Sequence, residues 1–450
     1  MEAMREARRE RAVEALQAAV RIPTVSRRDG VDTEVFDALL AELERRFPLL
    51  HERLELTRVH THGLLFRWPG ASDAQPVVLM AHLDVVPIED ESRWTHPPFS
   101  GAVVDGVVWG RGTLDDKGCV VAICAAVEEL LEDGHEPARD VWLSFGCDEE
   151  VFGQAAPEAV AVLRERGVEP WFVLDEGGAV AGGAFPGVSA PVAVVGVTEK
   201  GVTSLLLRAE GRGGHASTPA RNGPTARIAK AITALESSPM APALPAPTVE
   251  LFRRLGPHLP LPLRPVVAAA ARVPAVLTRT LLAAGPETAA MVRTTFAVTT
   301  LEGSPALNVI AGSATVGVNI RVMVGDTVES VLEHVRRAVG RGVDIEVVEE
   351  GEASPLSPYS TAEHADPAFD LLETTIGEVF PDAVPSPYVM MAGTDSRHFT
   401  EICERVYRFA PFRMSKAQRE AIHSHDEHLG VEDLLDGVAW YRLLIERLPA

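Results

Sequence analysis

The sequence predicts an α/β protein, with a catalytic domain built on a mostly parallel, helix-covered sheet and a smaller α+β lid domain inserted into it. Apolar runs typical of buried strands alternate with helical patterns in the first part of the chain. Near residue 198 this pattern of elements gives way to the strand and helix order of a small α+β domain, and the first pattern resumes after residue 354. The predicted domains are 1–198 and 355–450 for the catalytic domain, and 199–354 for the inserted lid.

The first part of the chain contains the elements of the predicted parallel sheet. Predicted helices cover 5–20, 32–47, 117–133 and 156–166, strands cover 54–58, 63–67, 77–83, 141–145 and 171–174, and a hairpin covers 102–109. Acidic residues follow three of these strands, which end near residues 83, 145 and 174. Open α/β sheets bind ligands at the carboxyl ends of their strands, so we expect a functional site there.

The later elements complete the two predicted domains. Strands are predicted at 201–209, 296–301, 314–322, 344–348 and 405–409, and helices at 224–237, 326–339, 366–379 and 431–447. Residues 240–290 are rich in Pro and Ala and are predicted to be irregularly helical, whereas 353–358 is typical of a linker.

Composition limits the classes of function. The chain has 450 residues, 46% of them hydrophobic, and a formal net charge of −22, which disfavours nucleic acid and anionic membranes as partners. Its four cysteines form no CxxC pair and no disulfide framework, which favours free thiols in a reducing compartment. The first residues lack an apolar signal core, and no uncharged apolar run is long enough to span a bilayer. We therefore expect a soluble, cytoplasmic protein without a membrane partner.

His82 and Asp84 follow one another closely at the end of an apolar strand. Residues two apart in an extended chain point to the same side. A neutral imidazole can bind a metal through one nitrogen and donate its other N–H to a carboxylate. Taken alone, this pair is a weak signal, and a half-buried His beside an ordinary Asp turn explains it better than a metal site does.

Further acidic residues follow at the ends of other predicted elements: Asp115, Glu149, Glu150 and Asp175. Two divalent metals held close together need a shared carboxylate and terminal ligands on each side, and this set contains those residue types. Each residue also has an ordinary explanation. Asp115 is placed where a helix N-cap is expected, the two glutamates are consistent with surface charge, and Asp175 with a turn.

Five motifs in this order resemble the M20 family of co-catalytic zinc peptidases and amidohydrolases. They are HLDVVP at 82–87, GRGTLDDKG at 110–118, DEE at 148–150, GGHAS at 213–217 and GTDSR at 393–397. The late segment is most similar to the carboxypeptidase S and N-acyl-amino-acid hydrolase branch. The resemblance extends from about residue 22 to about residue 430, and Ala392 departs from it where many relatives have Gly.

The resemblance implies two Zn²⁺ ions per chain, although Mn²⁺ or Co²⁺ would also suit carboxylate-rich ligands. It implies His82 and Asp175 as terminal ligands of one metal and Glu150 and His423 as terminal ligands of the other, with Asp115 bridging both. It also implies that Asp84 orients His82 and that Glu149 is the general acid/base. It also implies a cis peptide bond after Asp115. His425 remains the alternative to His423.

The resemblance extends to residues that would contact the substrate. His215 would donate to the carbonyl oxygen in the transition state, across a homodimer formed through the lid or after domain closure. Asn308 and Arg321 would contact the substrate, with Arg321 pairing a free carboxylate. Gly393 would allow close approach, and Arg397 is a second carboxylate-binding candidate. An exposed loop His and an outward-facing strand Arg are the ordinary explanations.

The sequence therefore predicts a di-zinc amidohydrolase that acts on a small molecule. The substrate is expected to be an N-acyl amino acid, or a short peptide trimmed at its C-terminus. A dipeptidase or a biosynthetic deacylase of the same fold is one alternative. A metal-free binding protein that retains the fold is the other.

Overall fold

A computed structural model of the chain describes residues 2–28, 30–185, 187–261, 264 and 273–450. It contains a ten-stranded sheet built from the first and last parts of the chain and a four-stranded sheet built from the middle. The predicted fold class, a helix-covered sheet with a parallel centre and a smaller α+β unit, is confirmed. The predicted boundaries at 198/199 and 354/355 remain a prediction.

The described helices are numbered here in chain order. They are α1 (Glu2–Arg21), α2 (Thr33–Arg46), α3 (Pro48–Arg53), α4 (Lys117–Glu132), α5 (Ala155–Glu165), α6 (Pro224–Ser237), α7 (Ala246–Leu255), α8 (Pro274–Ala284), α9 (Pro286–Ala290), α10 (Val328–Val339), α11 (Pro367–Val379), α12 (Lys416–Ala421) and α13 (Val431–Glu446). Short 3-10 helices cover Glu91–Arg93, Glu149–Val151, Gly256–His258 and Asp395–Glu401.

The described strands are numbered in the same way. They are β1 (Glu55–Val59), β2 (Gly63–Trp68), β3 (Val77–His82), β4 (Ala102–Val104), β5 (Val107–Trp109), β6 (Val141–Gly146), β7 (Phe172–Asp175), β8 (Ala179–Ala181), β9 (Val192–Glu199), β10 (Gly201–Glu210), β11 (Gly214–His215), β12 (Thr295–Glu302), β13 (Val309–Ile310), β14 (Ser313–Val322), β15 (Asp344–Glu349), β16 (Val384–Met390), β17 (Val406–Arg408), β18 (Arg413–Met414) and β19 (His428–Gly430).

The centre of the large sheet is parallel. Its order is β1-β2-β6-β3-β7-β17-β9-β8-β18, with β16 beside β9, and the neighbours β6, β3, β7 and β17 run in one direction. Every residue of β3 and of β6 is buried, as expected for strands covered on both faces. Helix α4, which packs against α1 and α13, covers one face, and α5 packs on the other.

The small sheet is antiparallel, in the order β12-β14-β10-β15. Apolar side chains of α6 and α10 pack on one of its faces, against residues such as Leu207 and Val316. Lys200 is the single residue between β9 of the large sheet and β10 of the small one. The chain returns beside this crossing, where the Glu199 N–H donates to Ser354 Oγ at 2.8 Å.

Part of the 240–290 segment covers the large sheet although it lies within the predicted insertion. Leu251 of α7 and Leu277 of α8 are buried in a cluster with Val192 of β9 and Tyr388 of β16. The segment therefore forms regular helices where irregular ones were predicted. Residues 262–263 and 265–272 of this segment lie outside the described residues.

The sequence did not predict several strands of the large sheet, among them β8, β9 and β16. Strand β16 contains Pro385 and Pro387, and proline cannot donate to a ladder. These two prolines lie two residues apart and pair with Ala193 and Val195 of β9. Both positions that lack an N–H therefore face the same direction, and β16 pairs with only one described strand, β9. That arrangement is compatible with proline only at a sheet edge, which the sequence alone does not indicate.

Two predictions from composition, on the state of the cysteines and on membrane-spanning segments, can be compared with the described residues. All four cysteines are buried free thiols. Among the helices that the structure describes, none combines the length and the apolar character needed to cross a bilayer.

Candidate metal centre

Three neighbouring parallel strands bring the predicted acidic residues to one edge of the sheet. Strand β3 ends at His82, β6 is followed by Glu149 and Glu150, and β7 ends at Asp175. Because β3 lies between β6 and β7, these side chains leave adjacent strand ends. The loop before α4 adds Asp115 to this edge.

Asp115 lies between two histidines. Its Oδ1 is 2.9 Å from His82 Nε2, and its Oδ2 is 2.9 Å from His423 Nε2. The same His423 nitrogen is 3.0 Å from Glu150 Oε2. One carboxylate thus offers a separate oxygen to each side of the site, which is the arrangement needed to bridge two cations.

The donor atoms form two groups that share Asp115. In the first group, atoms of His82, Asp115 and Glu176 lie within 4.8 Å of one another, and in the second the same holds for Asp115, Glu150 and His423. Imidazole and carboxylate donors suit Zn²⁺, Mn²⁺ and Co²⁺.

The buried carboxylate of Asp84 holds two parts of the site together. It accepts the N–H groups of Glu149 at 3.2 Å and of Glu150 at 3.1 Å, and the hydroxyl of Ser26 at 2.6 Å. His82 Nδ1 is 3.1 Å from the Asp84 carbonyl oxygen and 3.4 Å from Oδ1. Asp84 therefore orients the imidazole and fixes the turn that carries the two glutamates.

Glu427 is a buried residue whose role the sequence did not indicate. Its Oε1 accepts the N–H groups of Gly112, Leu114 and Asp115 at 3.0, 2.8 and 3.2 Å, and its Oε2 accepts from Arg111 at 2.6 Å. It thereby ties the loop of Asp115 to the loop of His423. The signal available in the sequence was the position of Glu427, four residues after His423, the predicted metal ligand. The Asp115–Asp116 peptide bond is cis, as the resemblance implied.

The site concentrates negative charge in a buried space. Burial raises the pKa of Glu149 and of Glu176 well above the usual value, and burial followed by repulsion from Asp115 raises the pKa of Glu150. Burial opposes protonation of His82, but the hydrogen bonds to Asp115 and Asp84 and the charges of these two carboxylates together outweigh it and raise the pKa of His82. Hydrogen bonds to Asp115 and Glu150 raise the pKa of His423 to about 10.

Divalent cations would fit this donor set. Their charge would relieve the repulsion among the carboxylates and replace the protons that the histidines otherwise hold. Glu150 Oε1 is buried and has no hydrogen-bond partner among the described residues, so it is free to act as a ligand.

The structure groups Glu176, and not Asp175, with His82 and Asp115. The Asp175 carboxylate instead accepts the N–H of Ser396 at 2.9 Å through Oδ2 and that of Glu176 at 2.9 Å through Oδ1. This arrangement departs from the ligand that the resemblance implied. Both carboxylates follow the same strand, and the sequence could not distinguish two neighbours.

Of the histidines in the late loop, His423 is the one that reaches the site. Its backbone has a left-handed conformation, with φ of 59°. The ring of His425, the alternative, is 3.2 Å from the hydroxyl of its neighbour Ser424 and belongs to neither donor group.

The predicted substrate residues of the inserted domain lie elsewhere. His215 is exposed on β11 and pairs with Val309 of β13, beside Asn308, whose carbonyl accepts the Ala216 N–H. The hydrogen bonds described for the His215 ring go to Ser217. Arg321 lies on β14, half-buried, and burial lowers its pKa. The structure does not bring these residues into contact with the donor groups.

Gly393 and Arg397 lie in the loop that also contacts Asp175. A Cβ atom at Gly393 would be 3.4 Å from Arg397 Nη1, so the guanidinium packs closely on this glycine. On its other side, the Arg397 guanidinium carbon is 5.0 Å from the centroid of the Phe152 ring.

Comparison with known proteins gives concordant results. Residues 78–447 match the model of peptidase family M20/M25/M40. Probable carboxypeptidase S-like 2 of Dictyostelium discoideum is 35% identical over 408 residues, which cover 90% of this chain and 78% of the relative. N-fatty-acyl-amino acid synthase/hydrolase PM20D1 of Xenopus tropicalis is 36% identical over 450 residues, with coverage of 98% and 86%. The crystal structure of an M20 family metallo-carboxypeptidase, Sso-CP2 from Sulfolobus solfataricus, aligns with a TM-score of 0.71 at 16% identity, covering 97% of this chain and 98% of that one.

Proposed function

The chain belongs to peptidase family M20/M25/M40, and from this premise we propose that it is a di-metal hydrolase that cleaves the amide bond to an amino acid with a free carboxylate. The observation that carries the proposal is the position of Asp115 between His82 and His423, with one oxygen at 2.9 Å from each imidazole. We propose two Zn²⁺ ions per chain, with Mn²⁺ or Co²⁺ as workable substitutes.

The proposed roles follow from the contacts of each side chain. Asp115 bridges, Glu150 and His423 hold one metal, and His82 holds the other together with an acidic residue from the 175–176 pair. Bound divalent metals would lower the pKa of a coordinated water and polarise the amide carbonyl. Glu149 accepts a proton from the attacking water on its carboxylate and delivers it to the nitrogen of the leaving amine. Its burial supports this role, because burial raises the pKa of the carboxyl well above its usual value.

Two lines of support favour a substrate with a free carboxylate. The names of the two relatives refer to a carboxypeptidase and to an N-fatty-acyl-amino acid hydrolase, and both reactions release an amino acid. In addition, no Asp or Glu of the described residues lies within 4 Å of the guanidinium of Arg397, so its charge is available to a ligand. We assign Arg397, with Gly393 beside it, to the substrate carboxylate, and keep Arg321 and Asn308 as candidate contacts from the smaller sheet.

We also propose that His215 acts on the substrate carbonyl only after the smaller sheet closes over the site or in a homodimer. Its exposure and the absence of described hydrogen bonds from its ring to the donor groups support a role that needs such a movement or a second subunit. Light scattering with size-exclusion chromatography checks the dimer. A monomer at all concentrations that retains full activity would exclude the partner-subunit version.

The proposed function is tested by two measurements on the purified chain. Metal analysis is expected to give two divalent metals per chain, and less than one would favour the metal-free binding protein. The second measurement is hydrolysis of a panel of N-acyl amino acids with short and long acyl chains, C-terminally trimmed peptides and dipeptides. Faster cleavage of the dipeptides than of every N-acyl amino acid and longer peptide would favour a dipeptidase instead.

A further inference from the structure

We propose that Phe152 is a positioning residue, which holds the Arg397 guanidinium in place for the carboxylate of the substrate. This inference rests on the proposed function and extends it to a residue outside the recognised motifs. Its basis is a strained backbone, an exposed aromatic ring and a cation stacked on that ring.

The backbone of Phe152 has a conformation that aromatic residues rarely adopt. Its φ is 55°, in the left-handed region, at the end of the 3-10 helix Glu149–Val151. Bulky residues with positive φ are strained, and such strain persists where the surrounding structure enforces it. The ring is also 38% exposed, so burial of the ring does not offset the strain.

Asp148 holds the loop around Phe152 on both sides, because its carbonyl also accepts the Val151 N–H at 3.3 Å. The Asp148 carboxylate accepts the N–H of Gln154 at 2.7 Å and that of Ala155 at 3.1 Å, while its carbonyl accepts the Gly153 N–H at 2.9 Å. A Cβ atom at Gly153 would lie 1.9 Å from the Asp148 carboxyl group, so the turn leaves no room there for a side chain. These contacts impose the direction in which the Phe152 ring points.

The ring points to a guanidinium that forms no close ion pair with the described residues, although Asp395 and Glu199 lie near enough for its charge to favour their ionised forms. The guanidinium carbon of Arg397 is 5.0 Å from the ring centroid, and Gly393 lies against the guanidinium, where an added Cβ would be 3.4 Å from Nη1. No carboxylate among the described side chains comes within 4 Å of the guanidinium. An aromatic face orients a guanidinium without neutralising it, whereas an Asp or Glu would compete with the ligand.

The pair lies beside the proposed reaction centre. Phe152 follows Glu149 by three residues, and Asp395, two residues before Arg397, lies beside His82, since a Cβ added at Gly146 would be 2.9 Å from Asp395 Oδ2 and 3.9 Å from His82 Cβ. A cavity of about 590 Å³ adjoins the ring and is lined also by His60 and by Val348 of β15. Phe152 therefore connects the Arg397 guanidinium to the 3-10 helix that carries Glu149.

The test compares one substrate in two forms, the N-acyl amino acid that the wild-type enzyme cleaves fastest and the same compound with a carboxamide in place of its carboxylate. Phe152→Ala is expected to raise KM for the carboxylate form ~5-fold with little change in kcat, and to leave KM for the carboxamide unchanged. Phe152→Tyr keeps an aromatic face and is expected to retain the wild-type KM. Leu56→Ala, which shortens a side chain of similar exposure on β1 that does not line this cavity, is the matched control and is expected to change neither.

A double-mutant cycle separates positioning from general damage. If Phe152 acts through Arg397, Phe152→Ala adds nothing to the KM of Arg397→Ala. Phe152→Gly removes the ring and the strain together, so it is expected to unfold at no lower temperature than the wild type while showing the KM of Phe152→Ala.

Two failures are distinguishable. A wild-type enzyme that cleaves both substrate forms equally well would overturn the proposed substrate class, and this inference with it. A wild-type enzyme that prefers the carboxylate, together with a Phe152→Ala variant that impairs both forms equally or adds fully to Arg397→Ala, would overturn only the role of Phe152.

Discussion

The carboxylate of Glu427 accepts the backbone N–H of Asp115 at 3.2 Å, although 312 positions separate the two residues in the chain. The same oxygen accepts two further N–H groups of the Asp115 loop, and the other oxygen pairs with Arg111. The last loop of the chain therefore sets the backbone of the residue that would bridge the two metals.

Glu427→Gln is expected to destabilise the protein by about 3 kcal/mol, because it leaves the buried cation of Arg111 without a compensating charge. It should also lower the metal content by loosening the Asp115 loop. Urea unfolding and metal analysis measure the two effects. Glu420→Gln, at an exposed position of α12, is the control and should behave as the wild type. A Glu427→Gln variant of unchanged stability would show that this pair contributes nothing.

Glu149→Gln is expected to keep both metals and to lose ~10²–10⁴-fold in kcat, because the amide cannot transfer the proton to the leaving amine. Glu149 belongs to neither donor group, so removal of its charge should not empty the site. Metal analysis of the variant, next to its steady-state kinetics, separates the two effects. Full turnover in the variant would remove Glu149 from the proposed role.

Glu176→Gln and Asp175→Asn test which carboxylate completes the ligands of His82. From the donor distances, we expect the Glu176 variant to lose about one metal per chain and the Asp175 variant to retain two. Asp175→Asn should instead loosen the 393–397 loop, because Asp175 accepts the Ser396 N–H. Metal loss confined to Asp175→Asn would support the ligand implied by the family resemblance.

Lys200, between the two sheets, should make stability depend on pH. Burial first, and the charge of Arg321 second, lower its pKa from 10.5 to about 8. Between pH 8 and 10.5 the unfolded chain binds more protons at Lys200 than the folded chain does, so the free energy of unfolding rises with pH across that interval. Below pH 8 the lysine is charged in both states, and burial of that charge lowers the free energy of unfolding by its full amount. The total rise is about 3 kcal/mol.

Lys200→Met removes this titration. The difference in free energy of unfolding between the variant and the wild type should therefore change by about 3 kcal/mol from pH 7 to pH 10.5. Urea unfolding at intervals of pH measures the difference. Lys416→Met, at an exposed position, is the matched control and should show no such trend. Parallel stability curves for the wild type and Lys200→Met would mean that Lys200 titrates normally.

Sequence patterns succeeded where one local property determines the structure. Strands β3 and β6 were predictable because both faces are covered, and a continuous apolar run follows from that burial. Strand β16 was not predictable, because a strand can contain two prolines only at the edge of a sheet, and the sequence does not show which strand lies at an edge. Helices α7 and α8 pack on the large sheet because their apolar side chains contact apolar residues of β9 and β16. Periodicity shows that a helix has an apolar face but does not show which element that face will contact.

By itself, the sequence determined the kinds of donor atoms and their attachment to strand ends: an imidazole at His82, carboxylates at Asp115 and Glu150, and a spare acid at Glu149. The tertiary structure alone decided the distances of 2.9 Å that place Asp115 between His82 and His423, the hydrogen bonds by which Glu427 holds the Asp115 loop, and the contact between the Phe152 ring and the Arg397 guanidinium. The physical reason is that donor types are properties of single residues, whereas distances between them depend on which strands become neighbours and on hydrogen bonds that connect distant parts of the chain.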